Sequence, residues 1–164
     1  MSSRGPLPSD VSAAGHDLAT MRIALAQAQA AAAAGEAPIG AVVFDPSSGQ
    51  VIAAAHNAPI GSHDPTAHAE ILALRAAGRA LGNYRLTGME LFVTLEPCAM
   101  CAGAISHARI ARLVFGATDP KGGGVVHGPT IFEQPTTHWR PKVSGGVLGE
   151  ESAALLKRFF RERR

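Results

Sequence analysis

The chain has 164 residues and a net charge of +2, with 17% of its residues charged; this suits one domain with a single substantial core and names no class of partner. Two cysteines three positions apart exclude a disulfide framework, and a working thiolate needs reducing surroundings, so a cytoplasmic protein is expected. No apolar run reaches the ~18–20 residues of a membrane span, and Ala24–Ala34 lies too far in, with too few large apolar residues, for a signal peptide.

Residues 1–15 carry Pro, Ser and Gly without an apolar period and read as a disordered extension ahead of a single domain over 16–164. From about Asp17, the three- and four-residue spacing of Leu18, Met21 and Leu25 predicts a helix through the alanines to a stop at Gly35. Ala37–Asp45 and Gln50–His56, joined by a turn from Pro46 to Gly49, predict a β-hairpin. Asn57 then opens a polar loop, where an asparagine alone reads as a turn residue. Asp64-Pro65-Thr66 is a helix-start signal, and the helix is predicted over about Ala67–Leu81 with Ile71, Leu72 and Leu74 inward. Met89–Leu95 predicts a third strand, Glu96-Pro97 the start of another helix, and Arg109–Gly116 a fourth strand. An irregular stretch follows to Pro141. Lys142–Gly146 offers a fifth strand, and Leu148–Arg163 a final helix with Leu155, Leu156, Phe159 and Phe160 along one side. This order implies an α/β fold with a mixed sheet and helices on both faces.

The chemistry concentrates between Thr66 and Cys101. T-A-H-A-E at Thr66–Glu70 is followed by P-C-A-M-C at Pro97–Cys101. A soft nitrogen ligand, an acid two residues on, and two thiols three apart form one proposition: His68, Cys98 and Cys101 hold a zinc ion, a fourth position is left for water, and Glu70 moves protons. A redox C-x-x-C beside an unrelated histidine is the competing reading. A zinc ribbon would need a second such pair, and the chain has only two cysteines. His68 and Glu70, about 200° apart on a regular helix, converge only if the site lies off the helix's N-terminal end. In this order, with Pro before the first Cys, the two half-motifs match the H-x-E…P-C-x-x-C pattern of zinc deaminases.

The match runs further. H-N-A-P-I-G-S-H-D-P-T-A-H-A-E at His56–Glu70, N-Y-R-L at Asn83–Leu86, L-F-V-T-L-E-P-C-A-M-C-A-G-A-I at Leu91–Ile105 and A-A-L-L-K-R-F-F-R-E-R-R at Ala153–Arg164 resemble the bacterial tRNA-specific adenosine deaminases (the TadA family). The resemblance implies a three-layer α/β/α cytidine deaminase-like fold with a mixed, about five-stranded sheet. It also implies a homodimer with one Zn2+ per subunit, and a tRNA anticodon stem-loop whose wobble adenosine becomes inosine. His68, Cys98 and Cys101 would be the zinc ligands and Glu70 the proton carrier. Asn57 would hydrogen-bond the flipped adenine, with Ile39 stacking nearby, and Asp119 would lie near a ribose 2′-hydroxyl. Phe159, Phe160 and Arg161 would meet the anticodon loop. Composition alone reads the last eight residues, with five basic side chains and one acid, as a solvated helix end; the resemblance turns them towards RNA. Asp119–Pro129 and Phe132–Trp139 depart from the glycine-serine pattern of the best-known branch, and His127, His138 and Trp139 read as loop packing and surface histidines. A free-base or nucleotide deaminase of guanine or cytosine type would share the zinc motif, whereas Asn57, Asp119 and the F-F-R-E-R-R end favour RNA. An idle RNA-binding subunit would typically lack the acid, which is present here as Glu70.

Overall fold

The computed structural model describes the backbone of residues 8–163 and the side chains of residues 16–163. Its strands are β1 (Gly40–Asp45), β2 (Gln50–His56), β3 (Glu90–Leu95), β4 (Arg112–Ala117) and β5 (Lys142–Ser144). They form one sheet in the order β2-β1-β3-β4-β5. β1 is antiparallel to both of its neighbours, and β3, β4 and β5 are parallel to one another. The helices are α1 (Pro8–Ala33), α2 (Pro59–Ser62), α3 (Ala69–Leu81), α4 (Ala99–His107) and α5 (Gly149–Arg161).

The period-two geometry of strands builds the layers. Ala41 and Val43 of β1, Leu91 and Val93 of β3, and Leu113 and Phe115 of β4 join one cluster with Ala69, Ala73 and Ala77 of α3 and Ile105 of α4. Their alternates Val42, Phe44, Phe92 and Val114 meet Met21 and Ala24 of α1, while Leu155 of α5 packs against Leu25 and Ala28. Both faces are therefore covered, as the continuous apolar character of these strands requires. The expected three-layer α/β/α arrangement with a mixed five-stranded sheet is the one observed.

Several element starts differ from expectation, each for a local reason. α1 is drawn from Pro8, inside the stretch read as a disordered extension; Pro8-Ser9-Asp10 is a helix-start combination, and the following alanines carry propensity without needing an apolar stripe. Residues 1–7 lie outside the described residues. β1 starts at Gly40 because the chain bends over 37–39, where the Ile39 N–H turns back to the Ala37 carbonyl at 2.8 Å. α3 starts at Ala69, because Asp64 spends its carboxylate on the Thr66 N–H and hydroxyl, both at 2.8 Å, and so closes a turn rather than a helix.

Gly40 is where α1 comes closest to the sheet. A Cβ there would stand 2.0 Å from the Ala24 carbonyl oxygen and 2.6 Å from the Ala28 nitrogen. Both are backbone atoms, so the clash is relieved only by moving the helix. Gly40→Ala is expected to lower the unfolding free energy by about 3 kcal/mol, the upper end of typical overpacking costs, read from the urea midpoint at constant m. An unchanged midpoint would show that α1 yields there at no cost.

Candidate metal centre and substrate cleft

Register puts the predicted site at one edge of the sheet. Gly40 pairs with His56, Ala41 with Val93, and Leu95 with Ala117. The start of β1 and the ends of β2, β3 and β4 therefore share an edge. Ile39 directly precedes β1 and Asn57 directly follows β2, while Cys98 and Asp119 lie three and two residues beyond β3 and β4, at the carboxyl ends of the parallel strands where α/β sheets bind ligands.

Two helices begin there. His68 is the residue before the first turn of α3 (φ −71°, ψ 151°), and Cys98 holds the same place on α4 (φ −72°, ψ 175°). This position normally carries a side chain that bonds the first helical N–H groups. Neither His68 nor Cys98 does so, which frees both side chains to point off the helix ends. Cys101 sits in the first turn of α4 and is fully buried. The His68 Nδ1 lies 3.7 Å from the Cys98 Sγ and 3.4 Å from the Cys101 Sγ. Zinc–sulfur bonds of ~2.3 Å and zinc–nitrogen bonds of ~2.0–2.1 Å in a tetrahedron set that separation at about 3.6 Å. The donors fit zinc in type and spacing, and leave one tetrahedral position for a non-protein ligand.

The hydrogen bond from Cys101 is the main reason the Cys98 thiol falls to about 5. The same contact, reinforced by burial, pushes Cys101 up. Glu70 stands in the first turn of α3 and is 4% exposed. Burial, against its own backbone N–H, raises its carboxyl to about 7. Glu70 thus stands two residues from His68, in the same first turn of α3 that faces the metal donors.

Asn57 is buried, and its N–H donates to the Ile39 carbonyl at 3.0 Å. Its Oδ1 accepts the Ala69 N–H at 2.8 Å. Asn57 thus supplies the cap expected from Asp64, and with its oxygen engaged it presents its amide NH₂ as a donor. Ile39 is partly buried against the α3 side of the core. Asp119, Lys121, Lys157, Phe160 and Arg161 line one groove of ≈ 570 Å³ between the ends of β3 and β4 and α5. Phe159 does not line it. It is 6% exposed, with the Arg163 guanidinium 3.6 Å from its ring centre; the 100° step of the helix turns it inward while Phe160 stays 52% exposed. The expected contact of Phe159 with substrate is corrected to a packing role, its ring edge-on to Phe160 at 5.2 Å.

The Trp139 Nε1 donates to the Ile110 carbonyl at 2.7 Å, His127 is held by Glu96, and His138 is exposed. Glu96, read as a helix start, is instead a buried acceptor. Burial raises its pKa, but the Asp119 N–H, the His127 ring and the Val126 and Val125 N–H groups outweigh that and hold it below the ordinary carboxylate range. Glu36 does similar work under α2, accepting the Ile60 and Gly61 N–H groups at 3.1 and 2.7 Å. Nothing in the local sequence of either glutamate marks it, because all of these donors come from distant loops.

Comparison with known proteins agrees with this geometry. The family model of the cytidine and deoxycytidylate deaminase zinc-binding region matches residues 15–117. A tRNA-specific adenosine deaminase of Agrobacterium fabrum is 53% identical over 145 residues, covering 88% of this chain and 93% of its own length. One from Haemophilus influenzae is 48% identical over 144 residues, covering 88% and 83%. A solved structure from work on A-to-I editing by tRNA:A34 deaminases at the wobble position of transfer RNA superposes with a TM-score of 0.81 at 51% identity, over 84% of this chain and 98% of that one. A guanine deaminase from Nitrosomonas europaea superposes with a TM-score of 0.76 at 29% identity, over 87% and 83%.

Proposed function

We propose that this chain, which belongs to the cytidine and deoxycytidylate deaminase zinc-binding family and within it to the tRNA-specific adenosine deaminases, converts the wobble adenosine of a tRNA anticodon to inosine, consuming water and releasing ammonia. One observation carries the reading: the His68, Cys98 and Cys101 donors lie within 4.8 Å of one another, and the buried Asn57 holds the Ala69 N–H between His68 and Glu70, while Asp119 lines a groove with Lys157 and Arg161 of α5.

In this reading His68, Cys98 and Cys101 hold the zinc. When bound, zinc supplies a Lewis acid that lowers the pKa of a water molecule from ~15.7 towards about 7. Glu70 takes the water's proton, delivers it to the adenine ring nitrogen as C6 is attacked, and then passes the proton of the new C6 hydroxyl to the amino group, which leaves as ammonia. Its buried position keeps those protons from bulk water. Asn57 holds the base through Nδ2, and Ile39 forms the apolar wall beside it. Asp119 reads the ribose 2′-hydroxyl, and Phe160 and Arg161 receive the neighbouring loop nucleotides, one by stacking and the other by charge. A loop base is already partly unstacked, so extruding it costs less than opening a duplex.

The working form proposed is a cytoplasmic homodimer. What supports it is an open groove of ≈ 880 Å³ between α3 and α4, lined by Ile71, Leu74 and a Tyr84 that is 71% exposed, a face suited to a second copy. Among the described residues no helix is long and apolar enough to cross a membrane.

The deciding assay offers purified, zinc-quantified protein an RNA anticodon stem-loop with wobble adenosine, the matching DNA loop, free adenosine, guanine and cytosine. Inosine in the RNA loop alone is the expected result. Turnover of guanine or cytosine with an inert stem-loop would replace this reading with a free-base deaminase, the activity of the Nitrosomonas europaea structure.

A further inference from the structure

Glu96 has no part in the chemistry above, yet its side chain is completely buried. A buried carboxylate without partners is costly, so its partners are informative. Its Oε1 accepts the Asp119 N–H at 2.9 Å and meets the His127 Nδ1 at 2.8 Å. Its Oε2 accepts the N–H groups of Val125, Val126 and His127 at 3.2, 2.9 and 3.0 Å. All five contacts go to one segment, the loop that follows β4.

The same loop is pressed onto the start of α4. The Gly124 N–H donates to the Pro97 carbonyl at 2.8 Å. A Cβ on Gly124 would stand 2.6 Å from the Ala99 nitrogen, and one on Gly123 2.3 Å from the Glu96 Oε2. Two glycines thus let the loop reach both the carboxylate and the backbone beside Cys98, and any side chain at either would lift it away. Asp119 is fixed in turn, since its Oδ1 accepts the Lys121 and Gly122 N–H groups at 3.2 and 3.0 Å. One short rigid segment, Glu96-Pro97-Cys98, therefore carries a metal ligand at one end and the anchor of the Asp119 loop at the other.

We propose that Glu96 is a positioning residue that sets the spacing between the metal centre and the ribose-facing Asp119, and through it the preference for RNA over DNA. This rests on the reading of Asp119 given above. Glu96 works on the backbone of the loop, so its effect falls on substrate binding and sugar discrimination more than on turnover. His127 closes the arrangement from outside, with a side chain 35% exposed.

The test compares wild type with Glu96→Gln and His127→Ala. Glu96→Gln keeps the shape but turns an NH₂ against one of the loop donors. It is expected to speed amide exchange at 125–127, raise KM for the RNA stem-loop and reduce the RNA-over-DNA ratio of kcat/KM by about tenfold each, the value of one charge-assisted hydrogen bond. kcat should stay within about threefold of wild type and zinc at one per chain, since no metal donor is touched. His127→Ala removes only the ring contact at a half-exposed position, and should shift exchange, KM and sugar preference in the same direction by about threefold; it carries the test should Glu96→Gln fail to fold. Unchanged amide exchange and unchanged KM in both variants would overturn the proposal. So would joint loss of zinc and kcat with sugar preference intact, which would assign Glu96 to the metal site. If wild type itself proves inert on RNA, the functional reading fails, and amide exchange at 125–127 separately decides whether Glu96 holds the loop.

Discussion

Glu70→Gln is expected to keep one zinc per chain and lower kcat by about 10⁴-fold, the upper end of what a positioned acid–base group contributes. Glutamine has the shape of glutamate, so the first turn of α3 and the His68 Nδ1 beside the two sulfurs should not move. The amide cannot accept a proton at neutral pH, and that is the function the replacement removes. Turnover needs a group that first takes a proton and then gives it, and a carboxyl buried in the first turn of α3, two residues from His68, can do both. KM should change little, because base and ribose contacts are assigned to Asn57, Ile39 and Asp119. The melting temperature should equal or exceed that of wild type, since the replacement removes an ionisable group from a site only 4% exposed. Single-turnover inosine formation and metal analysis on one preparation decide the matter. A variant that keeps its zinc and deaminates near the wild-type rate would exclude Glu70 as the proton carrier.

The metal triad was legible in the sequence because its spacing is local. Each half lies at a helix start, and the only long-range information needed was that the two starts meet. β2 was read to the residue, Gln50–His56, because turn residues bound it on both sides. Helix beginnings were harder. Asp64 offered a plausible cap nearby, while the group that meets the Ala69 N–H is Asn57, twelve residues away. Glu96 was hidden for the same reason. Glu-Pro resembles a helix start, and the donors that neutralise it come from 23 to 31 residues further on. Phe159 and Phe160 expose the limit of composition: two adjacent aromatics suggest one surface, and the helix turns one inward and the other outward. What the sequence concealed in each case was a backbone group or a face supplied by a remote segment.

Stripping the zinc with a chelator is expected to abolish turnover while leaving the fold intact. The donors sit at the sheet edge, whereas the core clusters on both faces close through Val42, Val43, Phe92, Val93 and Val114 without them. This separates the chain from small metallo-domains, which unfold when the ion leaves. Far-UV circular dichroism should therefore persist. The melting temperature should still fall, because an ion that binds only the folded form stabilises it by about 4 kcal/mol when its free concentration is ~1,000 times the Kd. Adding back one equivalent of zinc should restore both turnover and melting temperature. Cys101→Ala tests the ligand assignment separately: its side chain is fully buried and lies 3.4 Å from the His68 Nδ1. That variant should stay folded and fail to recover activity at stoichiometric zinc. Full turnover by zinc-stripped protein would leave the meeting of the H-x-E and C-x-x-C segments without a chemical purpose, and the deaminase assignment would fall with it.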